Sequence, residues 1–246
     1  MGDSHVAHSE AKLPPPRVYE QEYSFWPWGC LLEEVAQWVI QNAPPGSHVV
    51  DYMCGTGFLL DAIHSRRQDV SVEGWDISTA FIAYGKLRYP EARLYQGDAL
   101  EAEPTEQPDI VLCTAGIHHL TSTEKGRFIE KVADQLHRGG TFVVGEETLS
   151  LFSSECERQF AVIKLHTALL QYASEHSAPS ALLEAACDVL ANDLLERGEY
   201  KISLSDLHEL VQPFFIVEQQ RWVWSPQPNE ELGDIVLICR AREQNT

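Results

Sequence analysis

Basic side chains are scarce in this sequence: 18 Lys and Arg face 37 Asp and Glu, a formal charge of −19 with histidine neutral. A field of that sign repels phosphate backbones and no local basic stripe offsets it, so nucleic acid is not an expected partner. Long apolar runs are missing too. Nothing approaches the roughly 18 residues of a membrane span, and the amino terminus lacks the basic-then-apolar order of a secretion signal. Gly2 is followed by Val6 where a myristoylation signal calls for Ser or Thr. The six cysteines (Cys30, Cys54, Cys113, Cys156, Cys187, Cys239) form no CxxC pair, which argues against a zinc ribbon or disulfide framework and for reduced thiols. These absences leave a soluble cytoplasmic chain without membrane contact, whose expected partner is a small molecule, with a homodimer left open. Its 246 residues suffice for one core without disulfide or metal staples.

Residues 1–18 are polar, end in Pro14-Pro15-Pro16 and show no apolar period, which predicts a disordered arm. Residues 19–47 read as an amino-terminal lid and helix. From Trp28 to Asn42 the side chains of Leu31, Leu32, Val35, Trp38 and Val39 share one helical face, and Pro44-Pro45-Gly46 stops it. From residue 48 the period changes. Short β-branched runs near 48–52, 70–76, 92–96, 109–114 and 140–146 alternate with helical patterns near 57–66, 78–88 and 123–137. Right-handed crossovers turn that order into a doubly wound, Rossmann-like α/β sheet whose ligands sit at the carboxyl ends of the strands. Residues 48–150 would be this core. Residues 151–199 break the rhythm as a helical insertion after the fifth strand, one pattern running through Phe160, Ile163, Leu170 and Tyr172 and the other through Leu182, Leu183, Ala186, Val189, Leu190 and Leu194; together they predict a substrate cap. Residues 200–246 supply a capped helix from Ser205 and strands near 214–224 and 234–241, giving seven strands with an antiparallel last one.

The first strand breaks into Tyr52-Met53-Cys54-Gly55-Thr56-Gly57 before a helix opens at Phe58. Glycines at such a turn let backbone approach a ligand closely. A nicotinamide fingerprint needs a third glycine, and Leu60 stands there. The second strand ends at Asp76, 19 residues after Gly57, where a carboxylate can accept from a ribose diol. Gly97-Asp98-Ala99, then Asp109-Ile110-Val111-Leu112 leading to His118-His119-Leu120, and Arg138-Gly139-Gly140 follow in order. Over residues 48–147 this ordered set resembles the class I S-adenosylmethionine-dependent methyltransferases of the small-molecule type. The resemblance implies S-adenosyl-L-methionine as cofactor. It places Asp51, Gly55 and Gly57 around the methionine part, with Met53 and Cys54 in the same loop. Asp76 would hold the ribose with Ile77 beside it, Asp98 and Ala99 would meet the adenine, and Thr114 and Ala115 would line the floor. One departure stands out: the family usually has glycine where this chain has Met53, whose side chain either crowds the ligand or turns into the core.

Each of these residues has a plainer reading. Asp51 and Asp98 are also good turn residues. His118 and His119 are the first candidates for a general base, ahead of Glu146, though histidines there often only hold a loop. Alternation turns one of Glu146 and Glu147 to the cleft. The aromatic run Tyr23 to Trp28 is a lid or an anchor, and Trp222 and Trp224, two apart, are expected on one face. The substrate-facing set is then Tyr23, Trp26, Trp28, Phe160, Tyr172 and Trp222. With Glu146-Glu147 as the only dense acidic pair at the cleft, no metal is expected. Thr114-Ala115-Gly116-Ile117 stands where nucleic-acid amino-methyltransferases carry Pro-Pro-aromatic, which again disfavours nucleic acid. The expected activity is methyl transfer to an oxygen, nitrogen or carbon of a metabolite or natural product. The alternatives are a methyltransferase of a cationic amine, a non-catalytic adenosine-ligand module, and a nucleotide-dependent oxidoreductase.

Overall fold

The computed structural model describes residues 14–227 and 230–242. Most of the expected arm, residues 1–13, lies outside them, but its end does not. Pro16–Glu22 forms helix α1 with proline in its first turn, where a missing N–H costs nothing, and Val18 packs against buried side chains. Helix α2 spans Trp28–Asn42 and buries Leu31, Val35, Ala36 and Val39 at helical spacing.

The sheet contains β1 (His48–Tyr52), β2 (Ser71–Asp76), β3 (Arg93–Gln96), β4 (Ile110–Thr114), β5 (Thr141–Thr148), β6 (Phe215–Trp224) and β7 (Gly233–Ala241), in the order β3-β2-β1-β4-β5-β7-β6. β1 to β5 are parallel, and β7 runs antiparallel to both β5 and β6. β1 and β4 are buried along their whole length, as strands covered on both faces must be. Helices α3 (Phe58–His64) and α4 (Thr79–Arg88) join α2 on one face; α5 (Ser122–Gln135) and α8 (Leu204–Val211) cover the other. Phe128, Phe142 and Phe215 are fully buried on the α5 side, each burial being worth roughly 1.5–3 kcal/mol. α8 starts on a reciprocal cap between Ser203 and Asp206, two residues before the expected Ser205.

After β5 come α6 (Glu155–Glu175) and α7 (Ser180–Leu194), which pack on each other and enclose a third apolar cluster with Trp26, Leu149 and Leu232. Arg158 of α6 donates to the carbonyls of Asp193 and Leu194, satisfying the open end of α7. The segment leaving α7 returns to the sheet through the Leu149–Ser203 bridge. Among the described residues no helix is long and apolar enough to cross a membrane.

One strand departs from simple alternation. Trp222 pairs with Ile235 and Trp224 with Asp234, so Val223 is an extra residue in β6. Such a bulge flips the following side chain to the opposite face. Trp222 therefore packs with the α5 side and Trp224 with the cap, and the expected common aromatic wall does not form.

Candidate active site

The loop after β1 is built from left-handed backbone: φ is 60° at Met53, 57° at Gly55 and 82° at Gly57. For an L side chain that conformation costs roughly 1–2 kcal/mol, which is why glycine suits the position that Met53 occupies. The Met53 side chain lines the cavity above the loop and also packs on the core, its sulfur lying 3.2 Å from where a Cβ on Gly116 would stand. Met53 is thus at once a core contact and part of the cavity wall.

Asp76 shapes this loop. One carboxylate oxygen accepts from the Gly55 N–H and the other from the Ser78 N–H, both at 2.8 Å. Burial pushes its carboxyl above the usual range while those amides oppose the shift. Each oxygen keeps a further lone pair for a ligand hydroxyl. Asp51 is different: it is buried at the end of β1, and its Oδ1 has no partner, nor does the buried Oγ1 of Thr114 on neighbouring β4. Burial, and next the charge of Asp76, push the Asp51 carboxyl well up. Asp51 and Thr114 line the same cavity, and the turn-fixing role that Asp51 was open to falls to Asp76. Asp98 does fix a turn, accepting from the Leu100 N–H at 2.8 Å; Ala99 beside it is buried and Ile77 is exposed.

Helix α1 lies over the loop. Tyr19 stacks on Trp28 and Phe81, with ring centroids 5.5 and 4.7 Å apart, and Tyr23 stacks on Phe58 at 4.6 Å. Glu20 accepts hydrogen bonds from Thr56 Oγ1 (2.8 Å), Tyr84 (3.0 Å) and Tyr89 (2.7 Å). The space left between α1 and the loop is about 20 Å³, so a nucleoside-sized ligand requires α1 to move. Tyr23 and Trp28 line that space, whereas Trp26 is an anchor inside the cap cluster.

Beyond β4 the chain makes a single tight turn, Ile117–His119. His118 Nδ1 lies 2.6 Å from Glu146 Oε1, and the His118 N–H donates to the other oxygen at 3.2 Å. Because Glu146 also accepts from the Glu147 N–H, it acts as acceptor throughout, which puts the imidazole proton on Nδ1 and leaves Nε2 bare. Burial pushes Glu146 to about 6 and holds His118 well below its ordinary value. His118 Nε2 faces Glu199 Oε2 at 3.6 Å, and His119 Nδ1, 3.1 Å from the Gly198 carbonyl, faces Glu199 Oε1 at 3.6 Å. Lys201 is buried among Glu199 (3.0 Å), Asp193 (3.4 Å) and Glu147 (3.6 Å). Burial of Glu199 is outweighed by Lys201 and the two histidines, which hold its carboxyl at about 2. Asp234, opposite Glu147 in the sheet, has neither oxygen satisfied, and burial pushes it well up.

Of the expected acceptor-facing residues, Phe160 is 70% exposed on α6 and Trp222 faces the other side of the sheet, so neither reaches this wall. Tyr172 stacks on His176 at 4.0 Å and meets Trp224 edge-on at 5.9 Å. Sequence reasoning missed Tyr19, Glu20, Asp193, Glu199, Lys201 and Asp234. Glu199-Tyr200-Lys201 carries a local charge pair but no motif, and its partners lie far away in the chain.

Residues 49–140 match the family model of a methyltransferase domain. The chain therefore carries a methyltransferase domain over these residues. A carboxy-S-adenosyl-L-methionine synthase of Campylobacter curvus is 28% identical to this chain over 130 residues, 49% of this chain and 52% of that protein. A dTDP-3-amino-3,4,6-trideoxy-alpha-D-glucopyranose N,N-dimethyltransferase of Streptomyces venezuelae is 27% identical over 119 residues, 48% of this chain and 49% of that one. The chain spans about half the length of these curated relatives. A TehB-like methyltransferase from Corynebacterium glutamicum shares the fold with a TM-score of 0.56 at 16% identity, over 92% of this chain and 98% of that one. S-adenosylmethionine is the cofactor of the domain, and the residues present fit it: Asp51 and Thr114, each carrying a buried polar atom without a partner, line one cavity.

Proposed function

We propose that this chain methylates a polar small molecule on oxygen or nitrogen, using S-adenosylmethionine as donor. The observation that carries this reading is the pair of unpartnered atoms, Asp51 Oδ1 and Thr114 Oγ1, facing one cavity under an aromatic lid. Buried polar groups without partners are costly, and a ligand that pairs with them recovers that cost. Bound there, S-adenosylmethionine supplies an electrophilic methyl on a sulfonium. Asp51 and Thr114 serve the amino-acid end of the donor. Asp76 serves the ribose with its remaining lone pairs, and Asp98 and Ala99 border the adenine. Tyr19, Tyr23 and Trp28 exclude water once α1 is seated. Alignment of donor and acceptor contributes on the order of 7–11 kcal/mol.

The polar wall of His118, Glu146, Glu199 and Lys201 lies on the acceptor side, where the cap meets the sheet. With Phe160 exposed, support for a large aromatic acceptor is lost, and the buried carboxylates favour a polar one. The Streptomyces venezuelae relative is by its name a dimethyltransferase of an amino sugar, in keeping with a polar acceptor. The test is incubation with methyl-labelled S-adenosylmethionine and fractionated polar metabolites. Label appearing in one fraction together with S-adenosylhomocysteine is expected. Donor binding without transfer to any fraction would leave an adenosine-ligand module and overturn the reading.

A further inference from the structure

We infer that His118, His119 and Glu199 form a binding site for one divalent transition-metal ion at the seam between sheet and cap. One ligand atom from each lies within 4.8 Å of the other two. His118 Nε2 and His119 Nδ1 address opposite oxygens of the Glu199 carboxylate, each at 3.6 Å. Three ligands about 2.0–2.2 Å from one ion stand roughly 3–3.5 Å apart, so the group, now spread within 4.8 Å, contracts by up to about an ångström at its widest pair, a shift that rotation of the half-exposed His119 ring supplies.

The surroundings of His118 are those of a metal ligand. Metal-bound imidazoles are commonly fixed by a carboxylate on the far nitrogen, and Glu146 Oε1 lies 2.6 Å from His118 Nδ1. The opposite nitrogen, Nε2, is then a bare lone pair aimed at Glu199 beyond hydrogen-bond distance, on a side chain that is 9% exposed. An imidazole lone pair held toward a carboxylate and not committed to a hydrogen bond is placed to ligate a Lewis acid.

Charge points the same way. Glu146, Glu147, Asp193 and Glu199 converge here, with Asp234 pushed toward its neutral form by burial, against Lys201, Lys125 at the Tyr200 carbonyl and, on the outer side of Asp193, Arg158. Lys201 holds Oε2 of Glu199, which leaves the Oε1 side, toward His119, for the ion. His119 is half exposed, so the ion has a path in from solvent, and ligation replaces its contact with the Gly198 carbonyl. Two imidazoles and one carboxylate suit Zn²⁺, Fe²⁺, Co²⁺ or Mn²⁺ better than Ca²⁺ or Mg²⁺, which prefer oxygen shells. Three protein ligands leave at least one position for water or an acceptor group. The expectation of no metal considered carboxylate pairs alone; the two histidines and Glu199 come together only through folding. The inference rests on this geometry and does not require methyl transfer.

The test uses the untagged full chain, stripped with a chelator and titrated with Co²⁺ by visible absorption and with Zn²⁺ by calorimetry. One ion per chain is expected, with Co²⁺ bands of low-symmetry nitrogen and oxygen coordination. His119→Ala, at a half-exposed site that should fold normally, should weaken binding tenfold or more. Glu146→Gln, a change at a positioning residue, should weaken it by roughly 10- to 100-fold. His176→Gln, on the exposed end of α6, should leave it unchanged. Absence of saturable binding, or affinity unaltered by His119→Ala, overturns the site whether or not the chain transfers methyl groups; an ammonium-bearing acceptor would then be the occupant of the acidic field.

Discussion

Tyr19 lies across Gly55, its ring and hydroxyl 3.1 Å from the position a Cβ on the glycine would take. The aromatic helix therefore sits close on the loop after β1, where a side chain at Gly55 would have to push Tyr19 aside by a few tenths of an ångström and take a left-handed backbone at φ 57°. Everything bound on the loop must pass under α1.

Glu20 is the latch of that helix. Glu20→Ala removes the acceptor of three hydroxyls, one on the loop after β1 and two on α4 and its carboxyl end. Amide protons of residues 17–22 are expected to exchange much faster in the variant, while the melting of the sheet shifts by no more than about 1 kcal/mol. Unchanged protection of α1 would show that aromatic stacking alone seats it.

Acidity should act on the same helix. Burial pushes the Glu22 carboxyl from 4.5 to about 7, so seating α1 favours the protonated form. Docking is then strongest below pH 4.5, weakens as pH rises between 4.5 and 7, and is constant above that window. Fluorescence of Trp26 and Trp28 followed from pH 5 to 8 should report this loosening, and Glu22→Gln should flatten the curve. An identical slope in the variant would assign it to another group.

Asp76→Ala was open to a pure ligand role, but its carboxylate also holds the Gly55 and Ser78 amides. The variant should lose about 1–3 kcal/mol of stability as well as donor affinity. A normal melting curve with lost binding would confine Asp76 to the ligand.

Met53→Gly relieves a left-handed side chain worth about 1–2 kcal/mol and removes half-buried packing of similar size. Net stability should change by no more than about 1 kcal/mol while the donor binds more tightly, as calorimetry and melting curves would show. A large loss of stability would make Met53 a core residue first.

Much of this molecule was legible before folding. The parallel strands, their crossovers and the two cap helices follow from hydrophobic period, because each buried face repeats within its own element. The loop after β1 was legible for a related reason: Asp51, Gly55, Gly57 and Asp76 sit at strand ends in a fixed order. The wall between sheet and cap was legible only as the candidates His118, His119 and Glu146, without the partners that folding brings to them. His118 meets Glu146 and Glu199 across separations that no local period encodes. A single extra residue at Val223 sends Trp222 away from Trp224, and nothing in that short run signals a bulge. Helix α1 was missed in part because seven residues opening on prolines carry little helical period of their own.

The most direct measurement is the calorimetric binding of S-adenosylhomocysteine to the wild-type chain and to Thr114→Val. One site per chain is predicted for the wild type. The near-isosteric variant, which removes a buried hydroxyl without a partner, should melt at the same temperature or higher and bind about tenfold more weakly, the ~1.4 kcal/mol of one polar contact. No binding to the wild type, or equal affinity in a less stable variant, would contradict the donor site described above.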